Sequence, residues 1–280
     1  MERRLAGHSF PGAPQGSGQR QRAGLYQGPV MTRADSVAQR RDGAVLTLTI
    51  DRPDKANALD GPTVDTLFHA FADPGDARVV VLTGAGERAF CSGADLSGPL
   101  PERTAAGFTR LLAAMDDCPV PIIARVNGGA AGGGVGLLCA ADIVIASDAA
   151  SVVTPEGRVG LFPFMILPYL LRVASTRRVA EMAYTGRRLS SAEALDAGFF
   201  TTVTPATELD PQVSQTAAAI AAMGPRAMRL GRQTFLRRIS ADGGPDERMA
   251  QAFRDLASGP EALEGLAARR ERRAPAWTIT

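Results

Sequence analysis

Histidine, lysine and cysteine are scarce in this chain, and each scarcity closes a route to chemistry. The 280 residues hold two histidines, His8 and His69. His8 lies in a stretch without apolar pattern, and His69 sits inside a helical pattern away from any nucleophile loop, so no Ser-His-Asp or Cys-His centre is expected. H-E-x-x-H is missing, and no metal site is predicted. Lys55 is the only lysine, which rules out a G-x-x-x-x-G-K-[ST] phosphate loop, and G-x-G-x-x-G is absent as well. Three cysteines, Cys91, Cys118 and Cys139, form no C-x-x-C pair. An odd, scattered set argues against a disulfide framework, and a reducing cytoplasm is the expected location.

Strong charge and long apolar runs are also lacking. The net charge is +2, from 31 basic and 29 acidic side chains, too weak a field to draw in nucleic acid or an anionic membrane. No apolar run approaches the roughly 20 residues of a bilayer span. Gly160 to Leu171 is the most apolar stretch, but it is short and interrupted by Pro163 and Pro168, and it reads as core or substrate-facing. Residues 1–36, rich in Gly, Gln, Pro and Arg, read as a disordered extension without the apolar core of a secretory signal. Either Met1 or Met31 would serve as the start.

What is present is a strand-helix alternation. Ala44 to Ile50 alternates as a strand, and Asp60 caps a helix running to about Phe71. Arg78 to Thr83 and Val120 to Val126 read as strands buried on both faces, and Asp142 to Ser147 as another. Helices are expected over Glu102 to Asp116 and Val135 to Ala141. The pattern predicts an α/β fold with parallel strands and right-handed crossovers over residues 37–205. A mainly helical region covers residues 206–280.

Two glycine clusters follow buried strands: Gly84-Ala85-Gly86, leading to Cys91-Ser92-Gly93-Ala94-Asp95-Leu96, and Asn127-Gly128-Gly129-Ala130-Ala131-Gly132-Gly133-Gly134. Loops at the carboxyl edge of such strands present backbone N–H groups to ligands, and a helix start after the second adds the positive end of its dipole. Tight turns alone would account for either loop; two together favour a binding site.

These residues resemble the crotonase family of enoyl-CoA hydratases and isomerases. Arg52-Pro53-Asp54-Lys55-Ala56-Asn57-Ala58-Leu59 is similar to its opening signature, and Ala89 to Leu96 to its first oxyanion loop. Gly128 to Gly134 is similar to the second, and Thr185 to Ser190 to a later stretch. The resemblance implies a crotonase-like ββα spiral core and an acyl-coenzyme A substrate whose thioester oxygen is held by the N–H groups of Ala94 and Gly133. It places coenzyme A near Lys55, Ala56 and Asn57 and near Ala94, Asp95 and Leu96, with Lys55 or Arg52 meeting a phosphate. No cofactor beyond the substrate's own coenzyme A is implied, and a homotrimer or dimer of trimers is expected.

Thr154-Pro155-Glu156 matches the family's glutamate-bearing segment, making Glu156 the candidate acid or base. Leu161, Phe162 and Phe164 form the expected acyl pocket. The chain departs from the two-glutamate hydratases at Gly136, three residues after Gly133, where those enzymes carry a second carboxylate. Double-bond isomerisation or hydration by Glu156 alone, or acyl-CoA binding without catalysis, are the readings that follow.

Overall fold

In the computed structural model, residues 30–34, 36–95, 102–239 and 253–278 are described. Expectations for the rest of residues 1–29, for Leu96 and for residues 240–252 lie outside them.

A seven-stranded sheet carries the fold, ordered β1-β2-β3-β4-β6-β8-β11. The strands β1 (Val30–Ala34), β2 (Val37–Asp42) and β3 (Val45–Ile50) are antiparallel neighbours. From β3 onward, β4 (Val79–Gly84), β6 (Ile122–Val126), β8 (Ile143–Ser147) and β11 (Thr202–Thr204) run parallel. β1 lies inside the stretch read from sequence as an unstructured extension, because a five-residue strand shows no periodicity of its own and forms only through the pairing Val30↔Arg41 to Ala34↔Val37.

A smaller sheet, ordered β10-β9-β7-β5, is built from strands of two or three residues: β5 (Ala89–Cys91), β7 (Gly129–Ala131), β9 (Ser151–Val153) and β10 (Leu189–Ser190). Three strands of the large sheet, β4, β6 and β8, each hand the chain to one of these and then to a helix. Thus β4-β5 leads to α2 (Glu102–Asp117), and β6-β7 to α3 (Gly133–Ala140). β8-β9 leads to α4 (Leu167–Val173). Successive ββα turns of this kind make the spiral implied by the family resemblance.

Side-chain alternation decides which face each strand buries. Along β4, Val80 and Leu82 join the main core with Leu67, Leu111 and Leu138, whereas Val79 and Val81 face the opposite way. There they meet Leu209, Val213 and Ala217 of α7 (Leu209–Ala221). A strand covered on both sides needs an unbroken apolar run, and β4 is buried at all six positions. On the other side, α5 (Thr176–Thr185) and α6 (Ser191–Asp196) place Val179, Met182 and Ala194 in the main core. α8 (Pro225–Ile239) and a last helix, Pro260–Glu271, follow α7, which forms the layer on the outer face of the sheet. Arg78 ties the chain end back to this layer by donating to the carbonyls of Ala221 (2.9 Å) and Trp277 (2.5 Å). Among the described residues, no helix is long and apolar enough to cross a membrane.

Candidate active site

The first loop is held by its backbone. Leu59 N–H donates to the Gly93 carbonyl (2.7 Å) and Asp95 N–H to the Leu59 carbonyl (2.9 Å). That bridge uses the groups on either side of Ala94 and leaves the Ala94 N–H on the other edge, with no acceptor among the described residues. Gly93, at φ +87°, packs on the second loop: a Cβ there would lie 2.8 Å from the Ala131 carbonyl oxygen and 2.9 Å from the Gly133 nitrogen. Only a glycine permits this approach.

In the second loop, Gly132 adopts φ +52° and hands the chain to α3, whose first residue is Gly133. The helix thus begins two residues before the stretch expected from composition. Being in the first turn, the Gly133 N–H has no intrahelical acceptor, and no other is found among the described residues. Two neighbouring N–H groups, one at the positive end of a helix, are therefore left for an oxyanion.

Glu156 faces the same point. It opens a 3-10 turn, Glu156–Val159, behind Pro155. Its Oε1 lies 3.2 Å from where a Cβ on Gly132 would sit, next to the oxyanion glycine. Its Oε2 is buried and has no hydrogen-bond partner among the described residues. Burial pushes the carboxyl above the usual glutamate range, and a hydrogen bond from its own backbone N–H opposes this in part.

These groups share a cavity of about 570 Å³. Leu161, Phe162 and Phe164 line it, with the Phe162 ring tilted against Phe164 at 4.9 Å and 6.1 Å from Tyr184. Phe164 is 73% exposed and marks the open rim. The inner wall comprises Leu59 and Val64, Phe108, and Ile166, from three segments distant in the sequence that local pattern could not bring together. The side chains of Ser92, Glu156 and Arg158 are its polar members. Among the described residues, no group of three His, Cys, Asp or Glu is placed to hold a metal.

Arg52, Asp95 and Asn57, expected near coenzyme A, have partners within the protein. Arg52 is not a free cation: it pairs with Asp95 (2.8 Å) and Asp60 (3.1 Å) and donates to the Ala58 carbonyl (2.6 Å). Asp95 shares this network. The Asn57 side chain is likewise consumed. It donates to the carbonyls of Ala85 (3.0 Å) and Ala89 (2.7 Å) and accepts from the Arg52 N–H (3.1 Å).

Lys55 remains exposed with no carboxylate partner among the described residues, and Ala56 beside it is half-buried in a left-handed conformation. Sequence reasoning passed over Asn127, whose amide donates to the carbonyls of Gly86 (2.6 Å) and Ala89 (3.1 Å). Asn57 and Asn127 converge on one carbonyl and brace the first loop. The asparagine that opens the second glycine cluster was the available signal.

Two backbone donors opposite a desolvated carboxylate, on a ββα spiral, mark the candidate site of an enzyme of the crotonase fold. A family model for enoyl-CoA hydratase/isomerase matches residues 40–279. The chain is 37% identical over 255 residues to a carnitinyl-CoA dehydratase of Proteus mirabilis, spanning 84% of this chain and 95% of that protein. It is 34% identical over 271 residues to the one from Salmonella typhi, spanning 87% and 98%. Among solved structures, an enoyl-CoA hydratase of Mycobacterium smegmatis superposes with a TM-score of 0.81 at 31% identity, covering 88% of this chain and all of that one. Human enoyl coenzyme A hydratase domain-containing protein 3 also gives 0.81, at 29% identity and 86% and 100% coverage. The chain belongs to the enoyl-CoA hydratase/isomerase family.

Proposed function

We propose that this enzyme moves a double bond along the acyl chain of an enoyl-CoA thioester, with Glu156 as the single proton carrier. The observation that carries the reading is the pair of unpaired N–H groups, Ala94 and Gly133, beside a buried carboxylate. With the thioester oxygen on those two donors, the Glu156 carboxylate removes a proton from C2 of a 3-enoyl thioester. The C–H electron pair enters C1–C2, and negative charge collects on the oxygen as a dienolate. Glu156 then returns the proton to C4, the bond settles between C2 and C3, and the carboxylate is restored.

Burial suits Glu156 to both steps, because a raised pKa makes its conjugate acid accessible near neutral pH. The apolar cavity wall favours a hydrocarbon acyl chain, and exposed Lys55 is the cation available for a coenzyme A phosphate. The reading needs no metal or organic cofactor besides the coenzyme A of the substrate. It places the enzyme in the cytoplasm as a homotrimer or dimer of trimers.

The test is exchange of C2 protons of a saturated acyl-CoA in D2O, together with 3-enoyl to 2-enoyl conversion. Glu156→Gln should reduce both by about 10² to 10⁴ while acyl-CoA still binds. Gly136, where a second acid is expected of a hydratase, favours the alternative of a non-catalytic acyl-CoA-binding protein. Binding with no exchange in the parent enzyme would establish that alternative instead.

A further inference from the structure

Gly136 lies one turn after Gly133, so the two share a face of α3. That face is packed with carbon. A Cβ at Gly136 would collide with Ile166 Cγ2 and lie 3.2 Å from Ile166 Cβ and 3.4 Å from Phe108 Cζ, the three nearest atoms to that position. A Cβ at Gly133 would lie 3.2 Å from the same Phe108 Cζ. Ile166 is 2% exposed, belongs to the main core and also forms part of the cavity wall. Its place is set by α4, because Leu170 N–H donates to the Ile166 carbonyl (2.9 Å) at the start of that helix. The missing carboxylate has therefore left neither a void nor a polar niche.

We infer that Ile166 is a specificity-determining residue: its side chain, backed by Phe108, occupies the volume in which a second acid and its water would sit, and so confines this enzyme to proton transfer rather than hydration. The inference rests on the proposed enolate chemistry at Ala94, Gly133 and Glu156. Hydration of a 2-enoyl thioester requires a water oxygen to bond to C3 as one of its protons passes to a base, while C2 takes a proton from an acid. Glu156 can serve C2. Water at C3 needs a polar partner, and a wall of isoleucine and phenylalanine carbons provides none. Isoleucine is stiff at χ1, so the obstruction is not relieved by a simple rotamer change.

The experiment compares the parent enzyme, Ile166→Ala, Gly136→Glu and the double variant Gly136→Glu/Ile166→Ala. Each is assayed for C2 proton exchange with a saturated acyl-CoA in D2O and for conversion of a 2-enoyl-CoA to its 3-hydroxyacyl-CoA. The quantity read is hydration relative to exchange in the same preparation.

The expected result is a low ratio in the parent, unchanged in Gly136→Glu. It should rise roughly tenfold or more in the double variant, where a carboxylate gains the volume that isoleucine vacates. Ile166→Ala alone should raise the ratio several-fold by admitting water. It also decides the question if circular dichroism finds the glutamate variants unfolded. Hydration by the parent as fast as exchange, hydration gained in Gly136→Glu alone, or a ratio unmoved by Ile166→Ala would each overturn the inference and leave the enolate reading intact. No exchange in the parent would overturn both.

Discussion

Glu156 carries an electrostatic strain that its rate and stability should both report. Its Oε2 is buried without a partner, and burial raises the carboxyl pKa. Proton abstraction needs the carboxylate, so the acid limb of the exchange rate against pH should fall above the ordinary glutamate range, and Glu156→Gln should abolish that limb. For stability the sign follows from the same shift. The folded state holds this proton more tightly than the unfolded chain does. The favourable contribution is present in acid and is lost as pH rises through the folded pKa. Glu156→Gln should therefore melt above the parent at neutral pH, and the difference should close as the medium is acidified. At Gly136, Gly136→Ala should destabilise the fold by about 1 to 3 kcal/mol in denaturant unfolding, because the added methyl meets Ile166 in a closed core.

At the scale of the element, the decisive features are the two loop-to-helix passages. Arg52 bridges Asp60, the N-cap of α1 (Gly61–Ala72), and Asp95, next to Ala94. One guanidinium thus joins a helix start to the oxyanion loop. Arg52→Met would leave two partly buried carboxylates facing each other, at a cost of roughly 1 to 3 kcal/mol. Chemical denaturation should read this loss, and kcat should fall because the Ala94 N–H is no longer aimed. A surface role would change stability without changing kcat.

The elements themselves were largely legible in the sequence. Alternation in β3, the apolar run of β4 and the Asp60 cap each have a local signature, the last seen in the bond from Thr63 N–H to Asp60 (2.9 Å). The strands β5, β7, β9 and β10 were not legible. At two or three residues they have no periodicity of their own and exist only where a neighbouring strand pairs with them.

For the molecule as a whole, Lys55 is exposed near the first oxyanion loop, its carbonyl accepting weakly from the Ser92 hydroxyl (3.4 Å), and under the proposed function it meets a coenzyme A phosphate. Lys55→Ala should raise KM for the thioester by about two- to fivefold with kcat nearly unchanged, the modest effect of an exposed ion pair. Added salt should shrink the difference in a KM titration. A larger loss in kcat would mean that Lys55 positions the reacting end instead.

The sequence by itself determined the family and the alternating core, and it pointed to Ala94, Gly133 and Glu156 as the candidate site. These depend on chain-local patterns: glycines where backbone must approach backbone, apolar runs where a strand is covered twice, and motif order along the chain. Only the tertiary structure decided what surrounds those residues. Arg52 and Asn57, expected from the sequence near a ligand, also brace the first loop, because their partners come from other loops. Gly136, read as a lost acid, became a close-packing position because Ile166 and Phe108 arrive there from α4's start and from α2. Charge pairing and exclusion of volume are set by atoms distant in sequence, and one chain read in order cannot contain them.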